Sequence, residues 1–202
     1  MPVPVWKRLL SFAALACAAS VPLFAQGLPG WRIGGAAGVV NDVKGTFRIE
    51  GFDHYDFNIW GDYVTEEKVA IRAMIGQMKV RGSQSGDQVS LTPGGPTVTL
   101  PEFSDRINYG TIGASYEYFE GDFTSGLFAG IGVYRVKPDA LDPTYQAFQD
   151  PSHTAFGWHF GADASFRIVS KMSLLIRLTY HYTTVDPRRQ LLSATGGFTY
   201  RF

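Results

Sequence analysis

The stretch TAFGWHFGADASFRI, Thr154 to Ile168, alternates along its whole length. Phe156, Trp158, Phe160, Ala162, Ala164, Phe166 and Ile168 occupy the even positions, and Gly157, His159, Gly161, Asp163, Ser165 and Arg167 the odd ones. Strict period-two alternation puts apolar groups on one face of a β-strand and polar groups on the other. A globular strand usually runs about 5–6 residues. An alternation roughly twice that length suits a tilted strand that crosses a membrane in about 9–11 residues.

The pattern recurs on both sides. MSLLIRLTYHYT sets Met172, Leu174, Ile176, Leu178, Tyr180 and Tyr182 against Ser173, Arg177, Thr179, His181 and Thr183, with Leu175 as the exception. Leu192, Ala194, Phe198, Tyr200 and Phe202 oppose Ser193, Thr195, Thr199 and Arg201. Towards the N-terminus, FTSGLFAGIGVYRV, RINYGTIGASYEYF, KVAIRAMIGQMKV, DHYDFNIW and WRIGGAAGVV carry weaker copies, which brings the count to eight. The register of residues 42–53 is open to a slip of one.

The connections alternate in length. Glu120-Gly121-Asp122 and Val169-Ser170-Lys171 are tight, whereas Ser83 to Asp105 and Pro138 to His153 are long. Short turns at one end and long loops at the other characterise outer-membrane barrels, with the turns periplasmic and the loops extracellular. A sheet in lipid must also close, because an open edge leaves backbone groups unpaired. The expectation is an all-β fold: an eight-stranded, antiparallel, up-and-down transmembrane β-barrel. On this reading Trp31, Trp60, Tyr118, Tyr180 and Tyr182 form interfacial belts.

The opening MPVPVWKRLLSFAALACAASVPLFAQ has a basic start at Lys7 and Arg8, then an apolar run from Leu9 to Ala19. That run is too short to span a bilayer and reads as a secretory signal over residues 1–25, leaving 26–202 as the barrel domain. Cys17 falls inside the apolar run, one place off a lipoprotein signal, so the mature chain contains no cysteine. Removing Lys7 and Arg8 takes 18 basic residues to 16 against 18 acidic ones, a net charge of −2. A nucleic-acid partner would call for a basic excess, so none is expected.

With the apolar face towards lipid, Arg32, Asp56, Arg72, Glu117, His159, Asp163, Arg167, Arg177, His181 and Arg201 face the lumen. Eight strands enclose an interior just wide enough for side chains to fill, and both signs of charge are present for pairing. A soluble lipocalin-like barrel would turn the same alternation inside out. Strand length, the asymmetry of turns and loops, and Phe202 at the end of an aromatic strand select the membrane form.

The chain resembles the small eight-stranded outer-membrane β-barrels of the OmpA and OmpX type, over the whole region after the signal. The most specific element of the resemblance is Gly197 followed by Phe198, Tyr200 and Phe202. In that family such a strand implies a signal read by periplasmic chaperones and the barrel-assembly machinery. The resemblance further implies an outer-membrane location, contact with outer-membrane lipid and a monomeric state.

Fold does not choose among the tasks of such barrels. His181-Tyr182-Thr183 faintly resembles the histidine–hydroxyl pair of lipid A deacylases, but it carries Thr in place of Ser and points into the lumen. The column His159, Asp163 and Arg167 spaces its members roughly 13 Å apart, too far for one catalytic cluster. The four histidines lack metal-ligand spacing. No catalytic, metal or cofactor residues are therefore assigned. The loop run Thr97 to Leu100 is a candidate hairpin above the membrane, suited to adhesion. The expected function is non-enzymatic, structural or surface-interactive, with a narrow porin-like channel and a lipid A-modifying enzyme as alternatives.

Overall fold

The computed structural model describes residues 30–43, 54–82, 84–90, 95–119, 121–184 and 188–202. The expected signal over 1–25 and the register of residues 44–53 lie outside them. The barrel strands are β1 (Gly30–Asp42), β2 (Tyr55–Val64), β3 (Val69–Arg81), β6 (Ser104–Phe119), β7 (Phe123–Pro138), β8 (His153–Val169), β9 (Met172–Thr183) and β10 (Gln190–Arg201). They close in the order β1-β10-β9-β8-β7-β6-β3-β2. Every neighbouring pair is antiparallel, and the seam is made by β1 and β10, from Arg32↔Arg201 to Asp42↔Leu191. The short strands β4 (Gln88–Ser90) and β5 (Thr97–Thr99) pair with each other in a separate two-stranded sheet inside the β3–β6 connection. The Thr97 to Leu100 run thus forms half of this sheet.

The eight expected segments all form strands, and their alternation sets which side chains face in. Ile176 is 67% exposed and its neighbour Arg177 only 1%. That is the polarity of a barrel in lipid; a water-soluble barrel would need the reverse. Short links gather at one end. Thr65 to Lys68 turns β2 into β3, with Lys68 at φ 65°, and Gly121 lies in the β6–β7 link at φ 115°. At the latter angle a side chain would be strained, so glycine is required there. The same end holds the ladder's last bond, Phe202 N–H to the Trp31 carbonyl (3.1 Å).

One expectation is overturned. Trp60 does not join an interfacial belt; it points inward and is 2% exposed. β2 runs on to Val64, so Trp60 lies mid-strand at inward parity, and its ring covers Gly34 on β1. The lumen is also less polar than its charges suggest. Met74, Met78, Ile107, Leu191 and Leu175, the exception in its strand, pack inside with Tyr109 and Tyr134.

Candidate functional site

Register builds the centre of the lumen. Arg32 stands opposite Asp62, Asp62 opposite Arg72, and Asp163 opposite Arg177 on adjacent strands. Long side chains then bridge across the barrel. Arg32 donates to Asp62 from Nε (2.9 Å) and Nη2 (3.0 Å) and pairs with Glu117 on β6. Arg72 donates to Asp62 Oδ2 from Nη2 (2.8 Å) and Nε (3.1 Å), and from Nη1 to Asp163 on β8 (2.9 Å). Arg177 completes the chain, donating to Asp163 (3.3 Å) and to Asn58 (3.3 Å). Three arginines and three carboxylates on six strands thereby form one crossing network, in which bidentate geometry compensates desolvation.

Aromatic rings fill the gaps. The Arg177 guanidinium lies 3.8 Å from the Trp60 ring centroid and 5.1 Å from that of Phe128. Arg72 is 5.2 Å from Phe128. Desolvated cation–π contacts of this kind contribute about 2 kcal/mol. Room for them comes from inward glycines: the Phe128 ring occupies the space a Gly161 side chain would take, and His159 that of Gly130.

A second layer is aromatic. Tyr109 donates to Asp56 (2.9 Å), Asn58 Nδ2 lies 3.4 Å from the same carboxylate, and Tyr134 hydroxyl meets His181 Nδ1 (3.1 Å). The His159 and His181 rings lie 5.8 Å apart, and Phe128 packs on His159. A third layer sits at the loop end, where Arg189 pairs with Asp105, with Asp42 (3.3 Å) and with the Arg81 carbonyl (3.0 Å).

Of the residues expected in the lumen, Arg32, Arg72, Glu117, Asp163 and Arg177 meet in the central network. Asp56, His159 and His181 belong to the aromatic layer. Arg167 stands on the turn-end rim, bonded to the Gly121 carbonyl (3.0 Å) and close to Asp122 (3.6 Å). Arg201 is half-buried near that end, with Nη2 unpartnered. Asp62, Trp60, Phe128, Asp105 and Arg189 lie outside the sequence expectation; extending the β2 alternation two residues places Asp62 in the lumen.

The histidine–hydroxyl pair has no access to lipid. His181 and Thr183 are both buried inside, and Thr183 Oγ1 accepts the Arg189 N–H (3.0 Å). Among the described residues no group of three or more His, Cys, Asp or Glu is placed to hold a metal ion.

Residues 11–202 match the family model described as outer membrane protein beta-barrel domain. Solved structures with similar architecture include Neisserial surface protein A (13% identity, 85% of this chain, 96% of that one, TM-score 0.58). A major outer membrane protein from Thermus thermophilus follows at 13% identity, with 87% and 100% covered and a TM-score of 0.55. OprG from Pseudomonas aeruginosa gives 11% identity, 89% and 99%, and 0.54. At these identities the likeness is one of fold. No curated protein sequence matches the chain.

Proposed function

The chain belongs to the outer membrane protein β-barrel family, and from that premise we propose that it is a non-conducting, non-enzymatic barrel acting as a structural element and through its extracellular loops. The observation that carries this reading is the side-chain network that crosses the lumen. The Glu117–Arg32–Asp62–Arg72–Asp163–Arg177 chain crosses the bore, with Arg177 stacked on Trp60. A permeant ion would have to separate these ion pairs within a bore that eight strands leave just wide enough for side chains. What remains available to a partner is the loop end, including the β4–β5 hairpin, whose backbone edges suit strand addition.

Planar-bilayer recording tests the plug. The folded protein is expected to give no open-channel steps; steady unitary currents would establish the narrow-channel alternative. The enzymatic alternative predicts a changed lipid A mass on expression, and none is expected.

We also propose that Gly197, Phe198, Tyr200 and Phe202 carry the signal for periplasmic chaperones and the barrel-assembly machinery. Support comes from the outward, exposed Phe198, Tyr200 and Phe202, the last two in edge contact (5.2 Å). Phe202→Ala leaves the seam's backbone bonds in place. It should lower the assembled, heat-modifiable fraction in cells several-fold while changing refolding yield in detergent little. Equal losses in both settings would make the ring a stability element instead.

A further inference from the structure

The outward faces of the barrel strands are almost free of charge, and the exceptions gather in one sector. Among the described barrel strands, the outward charged side chains are Lys79 and Arg81 on β3, Arg106 on β6, and Arg135 and Lys137 on β7. All five are cations, and none stands on β8, β9, β10, β1 or β2. Register aligns them: Lys79↔Arg106↔Lys137 form one row across three adjacent strands, with Gln77↔Asn108↔Arg135 the next outward row towards the turns. The neighbouring carboxylates are Asp139, near Lys79 (3.7 Å) and Arg106 (3.7 Å), and Glu102, near Arg81 (3.1 Å). Five cations against two acids leave three positive charges, and Arg135 and Lys137 form no ion pair among the described residues.

Height fixes the surroundings of the row. From Val69, beside the β2–β3 turn, to Lys79 is ten residues, or roughly 33 Å along a strand. At a tilt of about 40° this is about 25 Å along the membrane normal, the height of the apolar band of such barrels. The row therefore stands at the loop-side border, where cations meet lipid head groups at low cost and where those at mid-depth would be costly. Below these two rows, β2, β3, β6 and β7 form an apolar groove. Ile75, Gly110 and Val133 make its upper row, Ala73 and Gly61 its floor, and Ile112 a wall. The groove has an open volume of about 640 Å³. A Cβ on Gly110 would have only Ile75 Cγ2, at 4.0 Å, within reach, so the space above it is free.

We propose that this sector is a binding site for a phosphate-bearing lipid of the surrounding leaflet, its phosphate on the Lys79, Arg106, Arg135 and Lys137 rows and an acyl chain in the groove over Gly110. The Arg106 and Arg135 guanidiniums suit phosphate because each planar fork donates to two oxygens. A groove floored by glycine and alanine gives a chain a close contact that the flanking isoleucines of a fully branched surface would deny. The site rests on the outer-membrane reading above.

Native mass spectrometry of the detergent-folded barrel tests it, with bisphosphorylated lipid A, dephosphorylated lipid A and inorganic phosphate as probes. The phosphorylated lipid should be retained at least tenfold better than the dephosphorylated one, and millimolar inorganic phosphate should not displace it. The triple variant Arg106→Gln, Arg135→Gln, Lys137→Gln should lose that preference. Gly110→Leu, which fills the groove without altering charge, should weaken retention of both lipids. If the triple variant fails to give the heat-dependent gel shift of a closed barrel, the pair Arg135→Gln, Lys137→Gln replaces it, since neither residue holds an ion pair among the described residues. Equal retention of the two lipids, or an undiminished preference in the folded variant, overturns the site, and displacement by inorganic phosphate reduces it to an anion patch. A protein soluble without detergent would instead overturn the membrane reading itself.

Discussion

Gly113→Val is expected to abolish the closed barrel: after refolding in detergent, the sample should run at one mobility whether boiled or not. Gly113 sits on β6 at inward parity, paired with Arg72 on one side and Gly130 on the other. A Cβ placed there overlaps the Ala129 carbonyl oxygen and the Gly130 backbone across the ladder. The obstacle is main chain, so no rotamer change relieves it. A tightly coiled sheet of eight strands brings neighbouring backbones together on its concave side, and glycine is the residue that allows the bend. Overpacking in a core costs about 1–3 kcal/mol, occasionally more, when side chains can shift. Here the backbone must move, and a cost at or above that range should leave little folded protein. The comparison is Gly110→Ala on the same strand. Its Cβ points to the lipid side with nothing nearer than 4.0 Å, and its effect should lie within about 0.5 kcal/mol. Equal behaviour of the two variants would show that inward glycines are incidental.

The second large effect concerns Asp62. Its fully buried carboxylate accepts from two Arg32 nitrogens and two Arg72 nitrogens. Asp62→Ala leaves two guanidinium groups in a buried interior with only Glu117 and Asp163 to share among three arginines. Removing one partner of a buried charge network costs about 3–5 kcal/mol, because the remaining charge stays desolvated. Urea unfolding followed by tryptophan fluorescence or by the gel shift should show that loss. Asp62→Asn, which keeps an acceptor oxygen, should lose less. Adding Arg72→Met to Asp62→Ala should recover part of the stability, since the stranded charge is then gone. A full loss in the double variant would mean that shape, rather than charge, governs this part of the lumen.

Much of this was legible in the chain. Period two is insensitive to strand length, so TAFGWHFGADASFRI and its copies settled strand identity and which residues share a face, and strand length with the turn and loop asymmetry then chose the inward face. Five members of the central network followed from parity alone. Asp62 escaped because GDYV, with Gly61 and Asp62, looks like a turn until the ladder with β1 is seen to continue to Val64. Arg189 escaped for a different reason. It precedes β10, and its lumen contacts include Asp105 and Asp42, which are 84 and 147 residues away. Alternation also gave no weight to Trp60 and Phe128. A large ring at inward parity looks misplaced until an arginine is found lying on it. The outward cations were visible as residues, but their alignment into a single sector depends on register between β3, β6 and β7, which no one strand encodes.

The strict alternation also governs transit. In β9, Arg177 and His181 interrupt what would otherwise be a largely apolar run from Met172 to Tyr182. A translocating segment is retained in the first bilayer it meets when about 20 apolar residues follow one another. The mean hydropathy of the whole chain is −0.03, because each greasy residue travels beside a polar one. Short strands and this alternation together keep every barrel strand below that limit, and the arginines that knit the lumen lower the hydropathy of β9 and β3 further. Replacing them by well-packed aliphatics, a change that can stabilise a folded protein, would raise the hydropathy of β9 and β3, yet each strand, at 12 and 13 residues, would still fall short of that length.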